Sequence, residues 1–267
     1  MIVQPAFLII GAMKAGTTTL YRDMSAHPDV FLPQDKEPDV LVKHDRLADM
    51  RREYASLFRS AAKGQMTGEA STAYTKRPTH EGVAGKALAL CGPDLKLIYI
   101  RRDPVKRIVS QYQHERQHGF ISLPFDQALR AIPRLVDYSR YDWQVAPWIA
   151  AFGAGNVLQL DLEHYSRDRL DTLDRVCTFL GLDASRMRRI DKQAAYNRGD
   201  EQKKIENPVL RAIILSRFYQ RGLKNLVPRG LRDRGRKVLL RPPRIEAVHA
   251  TDEDRAYISK MLAEPRP

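Results

Sequence analysis

Short apolar runs alternate along the chain with stretches in which apolar residues recur at helical spacing. The apolar runs are short and continuous, which is typical of buried strands, at 7–10, 30–32, 65–69, 95–100 and 156–160. Helical spacing predicts helices at 18–26, 48–62, 83–90, 104–118, 125–132, 141–152 and 169–180. Strands separated by helices predict an α/β fold with a central, mostly parallel sheet flanked by helices. We expect one domain over 1–267, with a basic helical C-terminal segment at about 207–267.

The composition is that of a globular chain without a membrane span. Of the 267 residues, 43% are hydrophobic, which suffices for a sizeable core. The early apolar run at 6–10 is too short to cross a bilayer, and it lacks the basic region and cleavage site of a signal peptide. The two cysteines, Cys91 and Cys177, form no disulfide framework. We therefore expect a cytoplasmic protein.

Positive charge is concentrated near the C-terminus. The net charge is +13, and residues 211–244 hold eleven Lys/Arg against one acid, Asp233, a net of +10. Such charge predicts a polyanionic partner. Apolar residues interspersed with the arginines favour peripheral contact with the inner membrane face, or with an anionic acceptor, over nucleic acid, for which the segment has no motif. The alternative is a solvated face on a helix that packs on the domain.

The first predicted strand leads into a loop suited to phosphate. Residues 11–19 read Gly-Ala-Met-Lys-Ala-Gly-Thr-Thr-Thr and end at a helix start. Glycines let backbone N–H groups approach an anion, and the helix start adds partial positive charge. Lys14 supplies a full charge, and the threonines supply hydroxyl donors. The alternative is an ordinary strand–helix turn.

This loop differs from the Walker A loop of NTPases in the position of its lysine. A Walker A loop has Lys-Ser/Thr directly after its last glycine. Here Thr17 follows Gly16, and Lys14 lies two positions before it. A P-loop kinase or NTPase would also need a magnesium-binding acid, for which Asp161 is a poor candidate.

A second group of polar residues follows the strand at 95–100. Asp103 and Pro104 form a typical N-cap and first-turn pair for the next helix. Arg102 lies at the strand end, and Ser110 lies on that helix. Together they could hold a second phosphate, since arginine makes charge-assisted, bidentate contacts with phosphate. The alternative pairs Arg102 with Asp103 and leaves Ser110 without a ligand.

These motifs together resemble the sulfotransferases that use 3′-phosphoadenosine-5′-phosphosulfate (PAPS). Arg102-Asp103-Pro104 followed by Arg107 and Ser110 is similar to the 3′-phosphate signature of heparan-sulfate-type and related bacterial carbohydrate sulfotransferases. Lys36-Glu37-Pro38 and the stretch at 68–74 match further family segments in order and spacing. The resemblance covers about 6–197 and implies a P-loop-NTPase-like sulfotransferase fold. Two departures are Ala70, where a lysine is common, and Val40-Leu41, where a phenylalanine pair is usual.

The resemblance implies roles for the nucleotide-binding residues. The 5′-phosphosulfate would bind Lys14, Ala15, Gly16, Thr17, Thr18 and Thr19, and the 3′-phosphate would bind Arg102 and Ser110. Lys14 would also stabilise the leaving phosphate. PAPS is the implied co-substrate, and adenosine 3′,5′-bisphosphate (PAP) is the implied product. The sequence shows no dedicated metal cluster, and basic side chains with helix N–H groups can neutralise the leaving nucleotide, so we expect no catalytic metal.

Two residues compete for the role of general base. Glu37 lies where the family has its catalytic glutamate, and a carboxylate in a closed pocket can have a raised pKa. His114 lies one helical turn after Ser110 and titrates near neutral pH. The structural alternatives are a solvated Glu37 paired with Lys36, and a His114 on the helix surface.

The acceptor is expected to be a hydroxyl or amine of a carbohydrate, glycolipid or similar molecule. Aromatic and basic residues at 138–143 either border the acceptor or pack in the core. The alternatives are a small-molecule or natural-product sulfotransferase, a P-loop kinase or NTPase, and a non-catalytic anion-binding module.

Overall fold

The computed structural model describes residues 4–187 and 248–266, together with the backbone of Lys204–Ile205 and Leu240–Arg241. The chain divides into two compact units, one comprising Met1–Ala194 with Val248–Pro267 and the other Ala195–Ala247. In the second unit, β6 (Lys204–Ile205) and β7 (Leu240–Arg241) pair antiparallel. The rest of the predicted basic segment at 211–244 lies outside the described residues. That the chain forms a single domain stays a prediction.

The first unit contains a five-stranded parallel sheet in the order β2-β3-β1-β4-β5. The strands are β1 (Phe7–Gly11), β2 (Val30–Phe31), β3 (Met66–Ala70), β4 (Lys96–Arg101) and β5 (Val157–Asp161). In register, Phe7 lies opposite Gly68 on one side and Lys96 on the other. All five predicted strands are confirmed to within one residue at each end, and so is the parallel α/β fold.

Helices connect these strands. They are α1 (Thr17–Met24), α2 (Val40–Lys43), α3 (Leu47–Leu57), α4 (Val83–Cys91), α5 (Pro104–Gln117), α6 (Phe125–Ala131), α7 (Arg134–Asp137), α8 (Tyr141–Phe152), α9 (Leu162–Arg167), α10 (Arg169–Leu180) and α11 (Asp252–Ala263). None of the helices in the described ranges is long and apolar enough to cross a membrane. The sequence analysis missed α2, α7 and α9, because helices of four to six residues are too short to show periodicity.

Side chains on β1 alternate between two hydrophobic cores, so both faces of the sheet are covered. Leu8 and Ile10 pack with α3, α4 and α8, whereas Phe7 and Ile9 pack with α1 and α10. All four are fully buried. Because both faces are apolar, β1 reads in the sequence as a continuous hydrophobic run rather than an alternating one. Because the five strands are parallel, the loops that follow their carboxyl ends all lie at the same edge of the sheet, where such sheets bind ligands.

A third core joins α5, α6 and α7 to α11, the last helix. Ile258 of α11 is buried in it. The Arg140 guanidinium donates to the carbonyls of Met261 and Glu264, at the C-terminal end of α11. Arg266 pairs with Asp137 at 2.9 Å. The predicted C-terminal helical character is thus observed at 252–263, whereas Leu240–Arg241 is a strand.

Candidate active site

The loop between β1 and α1 has the shape of an anion cradle. Gly16 has a φ of 92° and precedes the first turn of α1, which has no side-chain cap and no acidic residue. A Cβ atom at Gly16 would lie 2.6 Å from Leu162 Cδ1, so both the backbone angle and the space favour glycine. Ala15 and Thr17 are buried, while Thr18 and Thr19 are half-buried beside them. No side chain therefore caps the first N–H groups of α1, which favours an anion there.

The two predicted phosphate sites adjoin in the structure. Arg102, just past the end of β4, donates from Nη1 to the Lys14 carbonyl oxygen at 3.2 Å. The Tyr141 hydroxyl donates to the Arg102 carbonyl at 2.6 Å and fixes this turn. One guanidinium thus reaches the middle of the first phosphate loop, although 88 residues separate the two positions.

Helix α5 begins as predicted and carries Ser110. The Asp103 carboxylate caps the helix by accepting from the Lys106 N–H at 2.8 Å. Asp103 is therefore engaged as a cap, and the alternative pairing with Arg102 is not observed. Ser110 is half-buried in the second turn, and its hydroxyl makes no hydrogen bond to another residue in the described part of the chain. Arg102 and Ser110 both keep polar atoms for a ligand.

The adjacent arginine differs sharply from Arg102. Arg101 Nε pairs with Asp161 Oδ1 at 2.7 Å across the ends of β4 and β5. Asp161, the poor candidate for the magnesium-binding acid of an NTPase, is engaged by this ion pair. Arg101 is therefore part of a structural ion pair, whereas Arg102 is a candidate for binding a phosphate.

Lys14 is the central charge of the site. Its backbone is left-handed, with a φ of 66°. Burial and the positive charge of Arg102 lower the pKa of Lys14, while the negative charge of Glu37 opposes them. No carboxylate within residues 4–187 or 248–266 lies at salt-bridge distance from its ammonium, which leaves the charge unneutralised.

Glu37 lies on the loop before α2 and faces the same space. Its carboxylate accepts from Lys36 Nζ at 2.6 Å and from the Thr72 hydroxyl at 3.2 Å. Burial raises the pKa of Glu37, but Lys36, Lys76 and Thr72 outweigh burial and leave it lowered. The raised pKa suggested by the sequence was therefore wrong, because cations surround the carboxylate. The pairing with Lys36, which the structural alternative anticipated, is present.

His114 on α5 is electrostatically coupled to Lys14. Its Nδ1 is buried and has no hydrogen-bond partner among the described residues. Burial and the positive charge of Lys14 lower its pKa to about 4, so the ring is neutral at physiological pH. The ring lies 4.4 Å from that of His118. Lys14, Glu37 and His114 thus share one electrostatic environment.

Sequence reasoning missed Lys76, a further cation in this environment. Lys76 directly follows the 3₁₀ turn Thr72–Thr75, which begins just past the carboxyl end of β3. Burial lowers its pKa, whereas the charges of Glu37 and Asp39 raise it. No described residue forms a salt bridge with its ammonium. The sequence feature that could have identified Lys76 is its position after the carboxyl end of a predicted strand, where such sheets bind ligands.

The residues at 138–143 mostly pack. Arg140 holds the end of α11, and Tyr138 is buried with its hydroxyl against Thr79. Trp143 lies under the Arg77 guanidinium, 4.2 Å from it. Tyr141 supports Arg102 as described above. Of the two alternatives for these residues, packing within the protein therefore accounts for most of them.

Comparison with known proteins assigns the family. The profile of the sulfotransferase domain matches residues 4–222. The chain belongs to the sulfotransferase family. This match confirms the family and the enzyme class that the motifs predicted.

Relatives and solved structures agree with this assignment. The chain is 31% identical over 189 residues to mouse (Mus musculus) heparan sulfate glucosamine 3-O-sulfotransferase 3B1, covering 67% of this chain and 46% of the relative. It is 28% identical over 196 residues to the mouse bifunctional heparan sulfate N-deacetylase/N-sulfotransferase 4, covering 67% and 22%. The chain therefore spans less than half the length of these relatives. A sulfotransferase from Alicyclobacillus acidocaldarius superposes with a TM-score of 0.62 at 25% identity, covering 74% of this chain and 88% of that one.

Proposed function

We propose that this sulfotransferase domain transfers the sulfuryl group of PAPS to a hydroxyl or amine of a carbohydrate or glycolipid-like acceptor. The observation that carries the proposal is the Arg102 hydrogen bond to the Lys14 carbonyl, at 3.2 Å. This bond joins the two elements predicted to bind phosphate, the loop after β1 and the residue after β4, which lie 88 residues apart in the sequence. A ligand with phosphate at both ends of one nucleoside fits this pair of sites, which is the chemistry of PAPS.

The residues present fit the nucleotide. The start of α1 and the half-buried Thr18 and Thr19 would hold the 5′-phosphate, since neither a cap nor an acid competes there. Arg102 and Ser110 would hold the 3′-phosphate. Lys14 would stabilise charge on the leaving phosphate, because its own charge has no carboxylate partner in the described chain. PAPS supplies the activated sulfuryl group.

The transfer needs a base on the acceptor side. The S–O bond to the leaving phosphate breaks, and a new S–O or S–N bond forms to the acceptor, whose proton goes to a protein base. PAP departs with the bridging oxygen. We assign the base to Glu37, because its lowered pKa keeps the carboxylate ionised at neutral pH. The neutral His114, with a pKa of about 4, remains the second candidate.

The acceptor class is proposed from the relatives. One mouse relative is named as a heparan sulfate glucosamine 3-O-sulfotransferase, and the other as a heparan sulfate N-deacetylase/N-sulfotransferase. Incubating the protein with PAPS and a panel of saccharides, lipid-linked sugars and phenols, followed by mass spectrometry, tests this. Sulfated saccharide or glycolipid supports the proposal. Sulfation confined to phenols or other non-sugar molecules favours the natural-product alternative.

A kinase or NTPase is the competing activity on this scaffold. The position of Lys14 and the ion pair that engages Asp161 both argue against it. The test is nucleotide binding in EDTA, where PAP should bind and ATP should not. The predicted cytoplasmic location and the membrane contact through 211–244 stay predictions, and that segment lies outside the described residues apart from 240–241.

A further inference from the structure

One carboxylate of the central sheet is fully buried. Glu69 of β3 has no exposed surface. Its Oε1 accepts from the Tyr54 hydroxyl at 2.7 Å and from the Tyr74 hydroxyl, and its Oε2 accepts from the Ser71 hydroxyl at 2.7 Å. It has no ion-pair partner in the described ranges. Burial raises its pKa to about 6, against the three hydroxyls that lower it. Such a group destabilises a core unless its hydrogen bonds are all made.

Two of these three hydroxyls also hold residues 37–41, which comprise the loop that carries Glu37 and the start of α2. The Ser71 hydroxyl accepts from the Asp39 N–H at 3.0 Å. The Tyr74 hydroxyl accepts from the Leu41 N–H at 3.3 Å. Each hydroxyl thus lies between the Glu69 carboxylate and a backbone N–H of residues 37–41. The third hydroxyl, of Tyr54 on α3, makes no hydrogen bond to this segment, although it lies 3.4 Å from the Tyr74 hydroxyl.

The loop depends on these hydrogen bonds, because its backbone is strained. Glu37 has a φ of 62° and Asp39 a φ of 55°, both in the left-handed region. For residues other than glycine this conformation is sterically unfavourable. It persists only where the surroundings enforce it. The Glu37 N–H also donates to the Ala70 carbonyl at 3.0 Å, so β3 and the turn after it hold the loop at successive points.

We propose that Glu69 is a positioning residue that sets the direction of the Ser71 and Tyr74 hydroxyls and thereby fixes the 37–41 loop that presents Glu37. A carboxylate only accepts hydrogen bonds. Each hydroxyl has one proton and gives it to Glu69, so its lone pairs face the loop N–H groups. This inference rests on the proposed function only in giving Glu37 a role in transfer.

Ser71→Ala isolates the proposed link. It removes the bond to Asp39 and leaves Glu69 with both tyrosine hydroxyls. We expect kcat to fall about 10- to 100-fold, the range for misplacing a reacting group by a fraction of an ångström to an ångström, with PAP affinity unchanged. Tyr54→Phe is the matched control, because it removes a bond of the same 2.7 Å length from the same carboxylate, and the Tyr54 hydroxyl makes no hydrogen bond to residues 37–41. It should lower Tm and leave kcat within about twofold.

Hydrogen exchange gives a readout that does not depend on activity. The Asp39 amide should exchange faster in Ser71→Ala than in wild type, and at the wild-type rate in Tyr54→Phe. If Ser71→Ala does not fold, Tyr74→Phe replaces it, with the Leu41 amide as the reporter.

The outcomes separate the two claims. A wild-type protein that sulfates no acceptor contradicts the proposed function, while exchange at Asp39 still decides the link. If wild type is active, wild-type kcat together with wild-type exchange in Ser71→Ala overturns the positioning role. Equal losses of kcat in Ser71→Ala and Tyr54→Phe also overturn it, because the network would then be purely structural.

Discussion

Replacing Arg102 with alanine tests the two-phosphate site most informatively, because this side chain has two separable roles. It would bind the 3′-phosphate, and it donates to the Lys14 carbonyl at 3.2 Å. The first role concerns only nucleotides with a 3′-phosphate. The second shapes the 5′ loop and affects every nucleotide. Comparing the affinity for PAP with the affinity for adenosine 5′-phosphate therefore shows how much of the lost binding comes from each role.

The expected size of each loss follows from the contacts. A hydrogen bond to a charged group contributes about 1.5–3 kcal/mol, so loss of the phosphate contact should weaken PAP about 10- to 100-fold. The bond to the Lys14 carbonyl is longer than strong charge-assisted bonds and has a neutral acceptor. Its loss should weaken both nucleotides by at most about tenfold. PAP should therefore lose at least about ten times more affinity than adenosine 5′-phosphate.

Isothermal titration calorimetry in EDTA measures both affinities. Arg101→Ala is the matched control, because this neighbouring arginine pairs with Asp161 at 2.7 Å instead. It should leave both affinities near wild type. Equal losses for the two nucleotides in Arg102→Ala would refute the 3′-phosphate role. Equal effects of the two arginine variants would show that general charge, and not position, matters.

Further predictions concern the charges around the transferring group. Lys14→Ala should lower kcat at saturating PAPS by about 10²–10³ with an unchanged Tm, and normal turnover would remove its role. Ser110→Ala should weaken PAP but not adenosine 5′-phosphate in the same calorimetric assay. Glu37→Gln should reduce kcat strongly at constant PAPS affinity, and a larger loss in His114→Ala would exchange the two roles. Because the pKa of His114 is lowered to about 4, its folded form resists protonation. NMR titration should therefore show a neutral ring above pH 6, and its contribution to stability should be lost as pH falls from about 6.5 to about 4.

The fold could be predicted from the sequence, because the apolar runs and helix-start residues agree with the strands and helices of the tertiary structure. The apolar run at Phe7–Gly11 is buried on both faces, so a continuous hydrophobic stretch correctly indicated a central parallel strand. Asp103 and Pro104 marked the start of α5, and the structure shows the predicted cap. Gly16, one of the two loop glycines, has a left-handed backbone at the end of the loop.

The electrostatics of the site were harder to predict, because they depend on contacts between distant segments. Glu37 was expected to have a raised pKa, yet Lys76, which comes from another strand's end, helps to lower it. The hydrogen bond from Arg102 to Lys14 joins β4 to the loop after β1, which no local pattern encodes. The hydrogen bond from Tyr54 on α3 to Glu69 on β3 likewise joins two separate elements.

The most direct test of sulfuryl transfer is a single-turnover assay with ³⁵S-labelled PAPS and a glucosamine-containing oligosaccharide in EDTA, with both products quantified. The account predicts labelled oligosaccharide and PAP in equal amounts from wild type, with neither formed at a comparable rate by Lys14→Ala. PAP release without labelled acceptor, or labelled acceptor formed equally fast by Lys14→Ala, would contradict it.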